Sequence, residues 1–257
     1  AAREGGGLWN GSGYMEVYNV SIMGNTASGD AADDGGGGIF NNGGTVDILQ
    51  NSMIMNNVAD GTSGSGGGIF NHTNGLLSIR HSTISSNQSN RAGGGIEDNS
   101  GAGTTVNISA CDFMNNTTGS APGNGGAIHI TGMGDLNLTG GTISGNTAAS
   151  EGGGLWNGSG KMVVKNAMIA NNTASGDNAD NGGGGIFNAG GALQVRTSTV
   201  SMNIADGTAG SGGGIFNDNG GSLYVAKSTV SKNTSNRAGG GIEDNSGAST
   251  RINMFLV

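Results

Sequence analysis

Hydrophobic and polar positions alternate with a period of two through much of this chain, and the alternating stretches return at a nearly fixed interval. In one of them Leu77, Ile79, Ser82 and Ile84 fall on one side, while Ser78, Arg80, His81 and Thr83 fall on the other. Val106, Ile108, Cys111 and Phe113 take the inward places one interval later, followed by Leu136, Leu138, Gly141 and Ile143. The pattern predicts a strand, a corner built on a small residue, and a second short strand. No stretch carries a convincing 3.6-residue period, so helices are not expected.

Two signatures punctuate the strands. A Gly-Gly-aliphatic motif occurs nine times, at Leu8, Ile39, Ile69, Ile96, Ile128, Leu155, Ile186, Ile215 and Ile242, with spacings of 27–32 residues. Eight of the nine carry three glycines; the exception is Gly125-Gly126-Ala127-Ile128. Each full interval also contains an apolar residue followed three positions later by asparagine, giving the column Asn25, Asn56, Asn87, Asn116, Asn146, Asn172, Asn203 and Asn233. In the second interval Ile54 with Asn57 fits as well as Met53 with Asn56. A further polar column runs through Asn10, Asn41, Asn71, Asp98, Asn157, Asn188, Asn217 and Asp244. Above these lies a period of 146–147 residues: Glu4 to Asn10 matches Glu151 to Asn157, and Arg91 to Ala102 recurs as Arg237 to Ala248. Residues 1–147 thus form a five-coil unit and 148–257 an incomplete second one, within a single domain of 1–257.

One interval cannot fold alone. Its four or five inward aliphatic side chains contribute about 1.5–3 kcal/mol each, whereas ordering its backbone costs about 1–2 kcal/mol per residue. Stacking identical turns resolves the deficit, because each then pairs its backbone with the turns above and below. The expected fold is therefore all-β: a right-handed parallel β-helix solenoid of about nine coils of 27–32 residues, roughly 40 Å long at about 4.8 Å per coil. Blades of a propeller need about 40–50 residues, which these spacings do not supply. Glycine suits the tight corners, and an asparagine in each coil can bond to its equivalent in the next, so the Asn column is read as an internal ladder.

Gly125-Gly126-Ala127-Ile128 and Phe113-Met114-Asn115-Asn116 resemble the paired signatures of polymorphic outer-membrane-protein repeats. The wider pattern, Gly-Gly-Gly-Ile-Phe-Asn followed by Ser-Thr-Ile-Ser-x-Asn, resembles bacterial surface proteins with right-handed parallel β-helix repeats of the pectate-lyase-like type. That resemblance covers essentially the whole chain. It implies a secreted or surface-anchored passenger region, commonly adhesive, and hence an extracellular or cell-surface location.

Composition narrows the chemistry. The 257 residues include 56 glycines and one proline, only 4% are aromatic, and the net charge is −8. An acidic surface repels phosphate backbones, so nucleic acid is not an expected partner. No apolar run reaches the roughly 20 residues of a membrane span. Cys111 is alone, in a column of small residues, and reads as a buried, inert thiol. For an enzyme acting on polysaccharide the best acidic cluster is Glu97-Asp98 with Arg91, yet the trio recurs as Glu243-Asp244 with Arg237, which favours a duplicated structural corner. His72, His81 and His129 read as solvated, with no zinc spacing. Asp30, Asp33, Asp34 and Asp60 fall in successive loops and form the one candidate calcium set, although solvated loop acids are the preferred reading. An ice-binding face would need a more regular threonine array than Thr83, Thr142, Thr199 and Thr229 provide.

The function expected on these grounds is a non-enzymatic structural or adhesive module without catalytic residues or cofactor. Both ends carry coil signatures rather than caps, so coils of another copy are an expected partner, giving a fibre or filament. A host surface or carbohydrate is the outside partner, and a carbohydrate-binding or polysaccharide-cleaving β-helix is the alternative.

Overall fold

In the computed structural model residues 1–120 and 122–247 are described, together with the backbone of 252–255. The first coil comprises β1 (Leu8–Asn10), β2 (Tyr14–Tyr18), β3 (Ser21–Met23) and β4 (Thr26–Ala27). The next seven coils repeat these four strands and the ninth adds, among the described residues, the first two; equivalent strands pair in parallel into four sheets, A to D, in chain order. Sheets A and B contain nine strands and sheets C and D eight. The chain is thus a parallel β-solenoid, as its periodicity predicts. Register holds from coil to coil: Ile39 pairs with Ile69, Leu77 with Val106 and Ile84 with Phe113. Ile252 to Phe255 continue sheet B against Leu223 to Ala226. Arg251, Leu256 and Val257 lie outside the described residues.

Alternation places one aliphatic column of sheet A, two of sheet B and one of sheet C inside, where Ile39, Val46, Ile48 and Ile54 are fully buried and are succeeded coil by coil by equivalents. The corner between sheets B and C turns through a residue of positive φ, such as His81 (φ 48°), Ala110 (φ 51°) or Thr197 (φ 49°). A small buried residue follows each of them. Ser82 Oγ donates to the Arg80 carbonyl (2.9 Å) and Ser198 Oγ to that of Arg196 (2.7 Å), while Cys111 Sγ sits 3.2 Å from the Ser109 carbonyl in the same role. Burial pushes the Cys111 thiol pKa up, consistent with an inert side chain.

The glycine triplet marks the entry to sheet A. Gly66 adopts φ +62°. An added Cβ on Gly67 would overlap the carbonyl oxygens of Gln88 and Gly94, and one on Gly68 would press against the Asn87 amide. The first position therefore needs left-handed backbone and the second has no room for a side chain.

Beside the triplet runs the asparagine ladder. Each Nδ2 donates to the Oδ1 of the next coil: Asn87 to Asn116 (3.0 Å), Asn116 to Asn146 (2.9 Å), Asn146 to Asn172 (2.9 Å) and Asn172 to Asn203 (2.9 Å). The same Oδ1 accepts the preceding backbone N–H, as in Asn87 N to Asn116 Oδ1 (3.1 Å), and the second amide hydrogen reaches back to a strand carbonyl, as in Asn116 Nδ2 to Ile84 O (3.0 Å). In the second coil the rung is Asn57, correcting Asn56. Asn57 accepts from Asn25 Nδ2 (3.0 Å) and donates to Asn87 (3.0 Å). Register decides between the two, since Ile54 pairs with Ile22 and Ile84 while Met53 faces out. Asn56 is exposed and makes the corner at φ 55°.

Asn57→Ala is expected to destabilise the fold by about 3 kcal/mol or more, because it strands the Asn25 amide and the Ile22 carbonyl. Asn56→Gly, at a left-handed corner, should stay within about 0.5 kcal/mol of wild type. Urea unfolding of both variants checks the assignment. Cys111→Ser should cost under about 1.5 kcal/mol, since serine holds the same corner at Ser82 and Ser198, and the wild-type thiol should react with a thiol reagent only on unfolding.

Candidate functional site

Glu97 and Asp98 are consecutive on the strand Ile96–Asn99 of sheet A, so their side chains leave opposite faces of the sheet. Both are fully buried. They cannot converge on one substrate as acid and base, and each has a separate structural partner set.

Asp98 points inward and ends the second polar column. Asn10 Nδ2 donates to Asn41 (2.8 Å), Asn41 to Asn71 (2.7 Å) and Asn71 to Asp98 Oδ1 (2.6 Å), while Ser100 Oγ donates to Asp98 Oδ2 (3.0 Å). Ile130 occupies the column one coil later and offers no acceptor, which suits a carboxylate that has no hydrogen to donate. The column restarts with Asn157, whose Oδ1 is buried without a hydrogen-bond partner because Ile130 supplies no amide. It then runs through Asn188 (2.7 Å) and Asn217 (2.6 Å) to Asp244 (2.9 Å). Burial pushes the Asp98 pKa up to about 6, against the lowering effect of its Asn71 and Ser100 hydrogen bonds.

Glu97 points outward into a covered column of large side chains: Phe40, Phe70, Glu97, His129, Trp156, Phe187 and Phe216 are successive neighbours in sheet A. The glycine turn before each strand packs against this column, with Gly66 under Phe70 and Gly125 under His129. His129 Nδ1 lies 2.7 Å from Glu97 Oε2, Thr131 Oγ1 donates to Glu97 Oε1, and Arg91 Nη1 is 3.8 Å from the same oxygen. The imidazole stacks on Trp156 at 4.2 Å and 24°, and Trp156 Nε1 donates to Glu151 Oε2 (2.9 Å). Asn181 Nδ2 holds the other Glu151 oxygen (2.8 Å), and burial raises the Glu151 pKa. His129 is therefore buried and paired, correcting the expectation of a solvated side chain. The missed sequence signal was the aromatic column: an apolar residue in an outward register at Phe40, Phe70, Phe187 and Phe216 requires a cover. With Glu97 and His129 buried and Arg91, Thr131, Glu151 and Trp156 half-buried around them, the cluster joins coils four, five and six.

The other two histidines differ. His72 ring-packs on Phe70 at 5.4 Å, with Nε2 3.6 Å from Asp33, and His81 is an exposed corner residue.

The loop acids are engaged singly. Asp30 Oδ1 accepts the N–H and hydroxyl of Thr62 (2.8 and 2.9 Å), which lowers its pKa, and Asp177 does the same for Thr208. Asp34 accepts from Arg3 (2.9 Å) and the Ala31 N–H (3.1 Å). Asp33 lies near His72 and Asn99, and the Asp60 carbonyl accepts from Asn90. Among the described residues no three His, Cys, Asp or Glu side chains converge as a metal site. Asp30 and Asp34 tie their loops, while Asp33 and Asp60 are exposed.

The outer face of sheet B is solvent-accessible and carries shallow depressions. A shallow depression there is lined by Arg80, Asn107, Ser109, Asn137 and Thr139, and an adjoining one by Asp47, Leu76, Ser78 and Thr105. At one end the single Tyr14 hydroxyl hydrogen is shared between Asp47 (3.0 Å) and Glu16 (3.2 Å), and the Asp47 bond foremost pushes its pKa up to about 12. At the other end Arg196 lies 4.7 Å over the Tyr224 ring. No helix among the described residues is long and apolar enough to cross a membrane. Comparison with protein-family models, curated proteins and solved structures finds no match for the chain.

The Asp98 carboxyl sets a pH dependence. Its native pKa, about 6, lies above the ordinary value of 3.8, so the native state holds the proton more tightly and stability falls as pH rises through that window. The fall amounts to roughly 3 kcal/mol. Urea unfolding of wild type and Asp98→Asn across this range should show the step in the wild type and its removal in the variant.

Proposed function

We propose that this chain is a rigid, non-catalytic structural or adhesive module of an extracellular or cell-surface rod. The observation that carries the reading is the unbroken asparagine ladder, which locks eight consecutive coils in one register and leaves the polar side chains of greatest chemical interest buried as struts. A bacterial surface protein of the β-helix repeat type, related to pectate-lyase-like or polymorphic outer-membrane repeats, suits this reading through the quoted motifs. Rods of this kind extend by adding coils. The ladder is polar, with each amide-to-amide bond running toward the later coil, so a coil supplied by a second copy would join head to tail.

A second reading, carbohydrate binding, draws on the depression around Arg80, Asn107 and Asn137, whose exposed amides and guanidinium suit a polar chain lying along the rod.

One experiment separates a purely structural rod from a glycan-binding one and both from an enzyme. Purified protein is incubated with a panel of acidic and neutral polysaccharides, with and without calcium, and both retention and product formation are measured. The structural reading expects no turnover, and retention on a glycan without turnover adds the adhesive role. Turnover of any of these polysaccharides would replace it with an enzyme.

A further inference from the structure

The two five-coil units match residue for residue over long stretches, yet they differ in charge where sheet B turns into sheet C. Glu16 and Tyr18 of coil one correspond to Val163 and Lys165 of coil six. Asp47 and Leu49 of coil two correspond to Gln194 and Arg196 of coil seven. At the corner that follows, His81 of coil three corresponds to Lys227 of coil eight. The exchange of Arg80 for Ala226 runs the other way, but each of these makes the later unit more positive or less negative.

The acids of residues 148–247 all lie on sheet A or on the loop that leads into it, as Asp177, Asp180, Asp206 and Asp218 do. Lys165, Arg196 and Lys227 stand half a coil away from them, exposed, one per coil at about 4.8 Å per step. None of the three joins an ion pair among the described residues. Arg196 donates to Gln194 (3.0 Å) and lies over the Tyr224 ring (4.7 Å). The neighbouring acid of sheet B, Asp135 in coil five, accepts the Lys161 backbone N–H (2.8 Å). It stands about 14 Å from Lys165 along the sheet, beyond the Debye length of about 8 Å. Asp112, two coils before Lys165, accepts the Thr142 N–H (3.1 Å). Lys161, beside Asp135, is left out of the row.

We propose that Lys165, Arg196 and Lys227 bind a linear acidic polysaccharide lying along the rod, its carboxylates or sulfates meeting one cation per coil. Asn166 and Thr197, exposed beside Lys165 and Arg196, offer an amide and a hydroxyl to the sugar hydroxyls. A nucleic acid strand needs open aromatic faces on which its bases stack, and the Tyr224 ring is covered by Arg196. A net charge of −8 opposes a polyanion elsewhere on the chain, so attraction is confined to this row. The proposal rests on the adhesive reading and seats the ligand on later coils than the depression at Arg80.

Calorimetric titration of the full chain with heparin, alginate, neutral dextran and single-stranded DNA, at low and high ionic strength, tests it. Heparin and alginate should bind at low salt and weaken as salt rises, while dextran should not bind and DNA should bind at least roughly 10-fold more weakly. The variant Lys165→Gln, Arg196→Gln, Lys227→Gln should lose roughly 10-fold or more in affinity for both acidic polymers at an unchanged melting temperature. Carrying the row into the first unit, by Glu16→Val, Tyr18→Lys, Asp47→Gln, Leu49→Arg and His81→Lys, should raise the stoichiometry from one site to two. Wild-type binding that survives the triple substitution would overturn this site while the adhesive reading stands. No binding of either acidic polymer would overturn the site and the adhesive role together, leaving the structural rod. DNA bound as tightly as heparin through the same three residues would overturn the polysaccharide assignment.

Discussion

A primary amide placed inside a protein must satisfy two donors and an oxygen, and in this solenoid the same amide one coil away and the backbone of the adjacent coils do so together. That reciprocity governs the architecture. Asn116 uses both hydrogens and both lone pairs on backbone or side-chain partners in adjacent coils, so the buried polar column costs little once every coil contributes a rung. Remove the repetition and the same residue becomes an unsatisfied group in an apolar interior. The requirement ties the sequence period to the coil pitch more tightly than aliphatic packing does, because isoleucine tolerates valine or leucine as neighbour, while the ladder accepts few substitutes.

The glycines follow from the same closeness. The backbone entering sheet A passes against the carbonyls leaving sheet D and against the ladder amide, which is why Gly67 and Gly68 stand where they do. Only the fifth coil departs, with Ala127, and it is also the coil that replaces the second polar column with Ile130 and the aromatic column with His129.

Most of the fold was legible in the sequence because its determinants are local and repeated: the period of two, the glycine triplets and the spacing of asparagines each name a position in the coil. Where two adjacent asparagines competed, at Asn56 and Asn57, the local pattern was satisfied by either, and the inward register of Ile54 between Ile22 and Ile84 decided it. The second column was legible for the same reason, but its break at Ile130, which makes Asp98 an end, was not. The Glu97–His129–Trp156 cluster was not, because it joins unlike residues across three coils and occurs once. A histidine read without its vertical neighbours looks like a surface residue. So does a carboxylate beside another carboxylate look like a catalytic pair, until the pleat sends the two to opposite faces.

The singular fifth coil has a consequence for how the chain reaches its native state. Near-identical turns invite misthreading, in which one turn docks on the wrong neighbour and still pairs its backbone. Any such error that moved this coil would seat Ile130 between two asparagines and strip Glu97 of its imidazole, an energetic fault at two sites at once. One irregular turn in an otherwise uniform stack thus works as a phase mark, making the correct order of turns the cheapest one to assemble.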